Sequence, residues 1–289
     1  MEKEEFKWNS RLVGYVKKIE NNSLSMEDID DMLFDLIGLN NSKKYMDVEG
    51  NRKCLIEKIK SSNYAVDILT ERFGYNPNMV YVGDLKADDI HSSVFPYEIV
   101  FGNIDFSNYM TTDDGIHFSS TRNSSNKNMD HLKIAIGSVN LSNSKDFNIQ
   151  NLKFVLGDFI IDGKHDDFNV KVIGGNAIFN GFTSKNASSL IYVGGDLDTS
   201  GSCIENMSSL KEVKGSIKKM SKNIEGLPNL ESVGGDLCLD GVNFNKMPKL
   251  NSVKGNVKMG NCNNLLKAYM KMKFKKTESG YVKRININR

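Results

Sequence analysis

Proline, cysteine, histidine and tryptophan are all scarce in this chain of 289 residues, which holds four prolines, four cysteines, four histidines and one tryptophan. Cys54, Cys203, Cys238 and Cys262 show no CxxC spacing and no dense framework. That argues against a disulfide-stapled scaffold and against the usual structural zinc sites, and it predicts a reduced, cytoplasmic protein. Long apolar runs are missing too, since no stretch of about 18 apolar residues exists to span a bilayer. The opening residues, MEKEEFKWNSR, are charged and lack the apolar core of a secretory signal. No membrane partner is expected on these grounds.

Catalytic signatures are missing as well. There is no HExxH, no paired Cys/His spacing and no G-x-S-x-G, and the glycine runs lack both a P-loop lysine and dinucleotide-fold spacing. Two places gather acidic residues beside a histidine: Asp113, Asp114 and His117, and His165, Asp166 and Asp167. Such clusters can bind a metal or move protons, but short acidic loops with one histidine are most simply solvated turns. Nothing places a histidine beside Cys203 or Cys238 to make a nucleophile. The expectation is a non-enzymatic protein with no cofactor and no metal.

What the chain has is charged residues at 26%, hydrophobic residues at 39%, and 24 glycines, the profile of a globular domain punctuated by glycine. Abundant asparagine, lysine and isoleucine is the usage of AT-rich genomes, low-GC bacteria and their phages among them. The net charge of +2 is unevenly spread. Residues 1–78 hold 12 basic against 14 acidic side chains, and residues 79–264 hold 18 against 21. Residues 265–289 hold 8 against 1, so a basic tail follows a mildly acidic body.

The glycines carry a period. A glycine followed by Asp, Asn or Ser and then an apolar residue occurs at Gly83, Gly102, Gly137, Gly157, Gly175, Gly195, Gly215, Gly235 and Gly255. The last four intervals are all 20 residues. Five residues before each of the later glycines stands an aliphatic side chain (Leu190, Leu210, Leu230, Leu250), and two before stands another (Val193, Val213, Val233, Val253). Apolar pairs follow at the second and fourth positions, as in Phe159 and Ile161 or Leu237 and Leu239, with Thr199 and Lys219 as exceptions. The unit L-x-x-V-x-G-[D/N/S]-φ-x-φ thus ends in a short half-buried strand, then turns and returns. One such unit cannot bury its own apolar face, whereas stacked units share a core, so the period predicts a solenoid. Nine units with strands about 4.8 Å apart would form a rod roughly 40 Å long.

The stretch LCLDGVNFNKMPKL resembles a short leucine-rich repeat, in which L-x-L is the strand and a later apolar-xx-Leu-Pro segment closes the coil. The L-x-x-V-x-G portion is also similar to the coils of receptor L-domains. The likeness is good from Leu190 to Gly260 and looser from Tyr81 to Leu190, and Gly241 stands near the place of the usual asparagine. It implies a curved binding surface rather than an active site.

The fold expected is therefore α+β: a leucine-rich-repeat-like β-solenoid of about nine coils at 79–262, with a helical N-terminal cap or domain at 1–78 and a basic helical C-terminal cap at 263–289. Trp8, Leu12, Val16 and Ile19 space a first helix, and Ile29, Met32, Leu33, Leu36 and Ile37 a second opened by Ser25 and Asp28. Leu265, Leu266, Tyr269, Met270 and Phe274 space the C-terminal helix. Polar residues 107–131 read as an inserted loop, or as a degenerate coil around Gly115, Ile116, His117 and Phe118.

If the apolar pairs face inward, two ladders face outward. The first runs Lys86, Asp105, Asn140, Ile160, Ile178, Asp198, Lys218, Cys238 and Lys258; the second runs Asp88, Ser107, Ser142, Asp162, Asn180, Ser200, Met220, Asp240 and Gly260. Ile160 and Ile178 interrupt a polar face and invite a contact. The predicted partner-binding residues are these two with Asp162, Asn180, Asp198, Lys218, Asp240 and Lys258. The function expected is protein–protein interaction through the solenoid face, and a phage or bacterial inhibitor of another protein fits that description. The alternative is nucleic-acid binding through Lys271, Lys273, Lys275 and Lys276 of the tail. The Asp, Asn or Ser after each glycine is expected to serve the backbone instead.

Overall fold

The computed structural model describes residues 10–25, 28, 58–59, 61–65, 67–68, 80–86, 97–107, 129, 131–144, 148–163, 168–277 and 280–283. Over this set the repeat is a parallel β-solenoid. Each coil supplies two strands, one on either side of its turn. Those before the turn are β1 (Val80–Val82), β3 (Ile99–Phe101), β5 (Ile134–Ala135), β7 (Phe154–Val155), β9 (Val172–Ile173), β11 (Tyr192–Val193), β13 (Glu212–Val213), β15 (Ser232–Val233) and β17 (Ser252–Val253). Those after it are β2 (Leu85–Lys86), β4 (Ile104–Asp105), β6 (Val139–Leu141), β8 (Phe159–Ile161), β10 (Ala177–Phe179), β12 (Leu197–Asp198), β14 (Ile217–Lys219), β16 (Leu237–Cys238) and β18 (Val257–Lys258).

The odd strands stack in order into one sheet and the even strands into another. The second sheet is the one expected from the apolar pairs. The first was not anticipated: the segment x-V before each glycine is itself a strand, with Val193 paired to Ile173 and to Val213. Between the sheets lies a core running from Leu85 to Phe274, in which Val213, Leu230, Val233, Leu237 and Leu250 are fully buried. Its centre is aromatic, with the Phe168 and Phe179 rings edge-on at 5.3 Å. Across the long insertion, β3 pairs directly with β5 and β4 with β6; residues 108–128 and 130, with the degenerate coil expected around Gly115, lie outside the described residues.

The turn between the sheets explains the glycine. Gly195 N–H donates to Gly175 O at 2.8 Å and Gly215 N–H to Gly195 O at 3.0 Å, so the glycines form a hydrogen-bonded column. A Cβ on Gly195 would lie 2.6 Å from Asn176 Oδ1 and 2.8 Å from the Gly175 carbonyl carbon, closer than atoms can approach. Beside this column runs a second made of side chains. Asn176 Oδ1 accepts from Asp196 N–H at 2.8 Å, and Asp196 Oδ1 accepts from Ser216 N–H at 2.7 Å. Ser216 Oγ accepts from Asp236 N–H at 3.0 Å, and Asp236 Oδ1 from Asn256 N–H at 2.7 Å. The same bond recurs from Asp84 through Asn103, Ser138 and Asp158 to Asn176. The backbone role expected for these residues is what the geometry contains.

One coil departs from the pattern, and the two sequence exceptions explain it. Leu197 pairs with Ile217, but Asp198 pairs with Lys219, a one-residue bulge. Regular alternation would aim Lys219 into the core, where an unpaired ammonium costs several kcal/mol. The extra residue turns Lys219 out and brings Met220, 6% exposed, into its place. Met220 is therefore a core residue and not a member of the outward ladder, and Lys219 rather than Lys218 stands opposite Asp198. Buried Thr199 completes the repair: its Oγ1 accepts from Ser221 N–H at 2.8 Å, and Ser221 Oγ donates to Ser202 O at 2.8 Å.

Helix α1 (Ser10–Glu20) matches the first helical spacing in the sequence. Its buried side chains, Tyr15, Val16 and Ile19, join Leu24, Ile59 and Ala65 against Ile99, Ile134, Val172 and Tyr192. Those last four lie on the outer face of the first sheet, so this segment covers the solenoid's side. The second helical spacing, from Ile29 to Ile37, lies outside the described residues. At the other end α2 (Asn264–Lys273) buries Leu266 and Met270 in the core and is N-capped by Asn263, whose Oδ1 accepts from Leu265 N–H. The hairpin β19 (Phe274–Thr277) and β20 (Gly280–Lys283) adds antiparallel to β17 and extends the first sheet.

Two measurements test this arrangement. Gly195→Ala should destabilise by more than the ~1 kcal/mol of an ordinary interior glycine change, because backbone rather than a mobile side chain must give way. Leu237→Ala should cost about 2–5 kcal/mol in denaturant melts by opening a cavity, and Lys258→Ala should stay within about 0.5 kcal/mol. Equal costs for the last two would mean that the register is wrong.

Candidate functional site

On the outer face of the second sheet the register aligns Asn140, Ile160, Ile178 and Asp198 as direct neighbours on adjacent strands. The two isoleucines lie side by side and are half-buried, with polar neighbours above and below. Parallel strands hold such neighbours about 4.8 Å apart, so the pair is an aliphatic ridge on an otherwise polar surface. Asp162 and Asn180 follow just beyond the ends of their strands, half-buried and exposed respectively.

The remaining predicted residues lie farther along the rod, and several are engaged in the fold. Asp198 Oδ1 accepts from Ser200 N–H at 2.8 Å, an Asx turn that closes its own strand. Asp162 Oδ1 accepts from Asn143 N–H at 2.7 Å in the preceding coil. Asp240 does the same for the backbone N–H of Gly260 in the next. Lys218 Nζ is 2.9 Å from Asp196 Oδ2. Lys258 is exposed on β18, four strands from Ile178 and so roughly 19 Å away. The structure therefore brings together Ile160, Ile178, Asp162, Asn180 and Asp198, and leaves Lys218, Asp240 and Lys258 as separate points along the same face.

Of the four tail lysines, Lys271 is exposed. Lys273 is committed: its Nζ donates to Met247 O at 2.9 Å and Pro248 O at 2.6 Å, over the Tyr269 and Phe274 rings. Lys275 and Lys276 fall in β19, with side chains outside the described set. The clusters Asp113, Asp114, His117 and His165, Asp166, Asp167 also lie outside the described residues. Among the described residues no group of three or more His, Cys, Asp or Glu side chains could hold a metal ion. No described helix is long and apolar enough to cross a membrane.

The first sheet's outer face, which neither outward ladder includes, is a packing surface. Three residues before each glycine stand Ile99, Ile134, Phe154, Val172 and Tyr192, then Glu212, Ser232 and Ser252. The apolar part is the one the N-terminal segment packs against, and the polar part begins where that cluster ends. The signal was present in the sequence, since this column switches from apolar to polar along the repeat.

Comparison with protein families, with curated proteins and with solved structures returns no match, so the roles of these residues follow from chemistry and geometry alone.

Asp196 offers a test of the side-chain ladder. Burial acts to raise its pKa, but the Lys218 hydrogen bond and the Ser216 N–H outweigh that and hold the carboxyl below its usual value of 3.8. A lowered folded pKa contributes stability above the unfolded value that disappears as pH falls through the folded one. Asp196→Asn keeps an Oδ1 for Ser216 but loses the charge facing Lys218, so it should melt slightly below wild type at pH 7 and converge with it on acidification below about pH 4. Asp196→Ala should cost about 1 kcal/mol or more at pH 7 by orphaning that N–H.

Proposed function

We propose that the chain is a non-enzymatic binding scaffold whose second sheet holds a protein partner. The carrying observation is the Ile160–Ile178 ridge, two half-buried aliphatic side chains in direct register on an otherwise polar β-face. Apolar anchors inside a polar rim are the anatomy of a protein interface, and Asp162, Asn180 and Asp198 supply that rim. Lys218 and Asp240 extend the face, and Lys258 lies at its far end. A solenoid suits the task, because its stacked coils present side chains as a rigid array. The likeness of residues 190–260 to leucine-rich repeats supports the same reading by analogy, since such repeats serve mainly as binding surfaces. On this reading residues 1–78 and 263–289 are the two caps, and occlusion of another protein, as by a phage or bacterial inhibitor in the cytoplasm, is the mode of action.

The nucleic-acid reading through Lys271, Lys273, Lys275 and Lys276 ranks lower because Lys273 already serves backbone carbonyls. The two readings separate experimentally. Ile160→Asp with Ile178→Asp should leave the circular dichroism spectrum and melting temperature near wild type and abolish capture of the partner identified by affinity purification and mass spectrometry. A variant that unfolds would show these side chains to be core, and a folded variant that still binds would move the site elsewhere. Nucleic-acid binding through the tail would instead survive this change and weaken steeply with salt through counterion release.

A further inference from the structure

The last coil and α2 differ in charge from everything before them. Residues 241–277 contain nine lysines and no aspartate or glutamate. Lys246, Lys249, Lys254, Lys258 and Lys271 are all exposed, and none forms an ion pair among the described residues. Their placement follows from the coil. Lys246 and Lys249 are on the return segment, Lys254 just follows β17 in the first sheet, Lys258 is on β18 in the second, and Lys271 is on α2. They therefore ring the last coil rather than lining one side of it, with the β19–β20 hairpin continuing the first sheet beside them.

Within that ring lies an apolar stripe. Helix α2 turns Leu266 and Met270 into the core, which leaves its opposite face outward. On that face Leu265 is 63% and Met272 74% exposed, the two large apolar side chains most open to solvent among the described residues. They are seven residues apart with exposed Ala268 between them, so all three lie along one side of the helix.

Aliphatic anchors encircled by cations call for an anionic, apolar-backed partner. A second copy meeting this end face to face would set nine lysines against nine. A single strand would use aromatic stacking, but the helix's Tyr269 is half-buried with its hydroxyl bonded to Met247 O and Lys273 over its ring, and a duplex held by its phosphates would give exposed Leu265 and Met272 no apolar partner. A peptide would reach one side of the coil only. We propose that the terminal coil and α2 dock end-on against an anionic lipid surface, with Leu265 and Met272 entering the interface and the surrounding lysines meeting the headgroups. This needs no spanning helix, since a short amphipathic element with basic neighbours suffices for peripheral binding. It shares Lys258 with the far end of the second-sheet face but rests on neither the Ile160–Ile178 ridge nor its partner.

The test is sedimentation of the full chain with vesicles of about one-third phosphatidylserine in phosphatidylcholine, or of phosphatidylcholine alone, at about 0.1 M salt. Binding is expected to the anionic vesicles only and should fall as salt rises. Leu265→Ser with Met272→Ser should reduce partitioning on the order of tenfold. Lys249→Gln with Lys271→Gln should reduce it roughly 25-fold, at roughly fivefold per lysine. All four side chains are exposed, so melting temperatures should stay near wild type and certify the fold. Ile160→Asp with Ile178→Asp should bind vesicles like wild type, which separates failure here from failure of the protein-partner reading. Absence of binding to anionic vesicles, equal binding to neutral ones, or unchanged partitioning of both folded variants would overturn the proposal. So would retention on double-stranded DNA under the same salt without retention on vesicles.

Discussion

The structure depends on how closely adjacent coils must approach at the turn between the two sheets. There the backbone of one coil rests on the backbone of the previous one, and a Cβ at Gly215 would lie 2.6 Å from the carbonyl carbon and oxygen of Gly195. Only glycine permits that contact. Removing the side chain exposes backbone amides that need partners, and two columns supply them: glycine N–H to glycine carbonyl, and Asx or Ser oxygen to the next coil's N–H. The 20-residue period is the length of chain that returns to this column. Any coil that missed it would leave amide groups unpaired on both its neighbours, at about 1–3 kcal/mol for each buried one.

This constraint explains which features the sequence revealed. The glycine, the short polar residue after it and the flanking aliphatics recur because each is repeated contact chemistry, so the period, the core and the inward apolar pairs could be read directly. Two features were hidden. The strand before the glycine was not recognised because only two residues of it pair, too few to show alternation. The bulge at Lys219 was hidden because a one-residue shift leaves the spacing from Gly215 to Gly235 unchanged at 20. Its trace was the lysine in an apolar column together with Thr199 in the coil before. A bulge and a buried hydroxyl network resolve both departures at once.

Packing beyond the coil was legible in part. The N-terminal helical spacing predicts a cap or a domain, but no argument from that segment alone says what it covers. Its counterpart is written in the solenoid, in the column that runs from Ile99 to Tyr192 and then turns polar at Glu212. Reading two distant segments for matching apolar lengths is what would have found the contact. The candidate site fared similarly: Ile160 and Ile178 stand where the ladder placed them, and the polar residues chosen with them proved to be largely occupied. Asp198, Asp162 and Asp240 each accept a backbone N–H, because a parallel strand two or three residues long ends in a turn that needs a side-chain acceptor.

That division of labour bears on where such a protein can evolve binding. Polar residues at strand ends and turns are held by the fold, so changing them alters stability before it alters recognition. Side chains that no column requires are free to vary: the outward mid-strand positions and the outer surface of the last coil. The aliphatic ridge and the lysine ring both fall on such positions. They are also separated by several coils, and in a solenoid each coil contacts only its neighbours, so distant changes should add with little coupling. A rod of this construction can carry two different surfaces, one on its side and one at its end, without either compromising the column of glycines that both depend on.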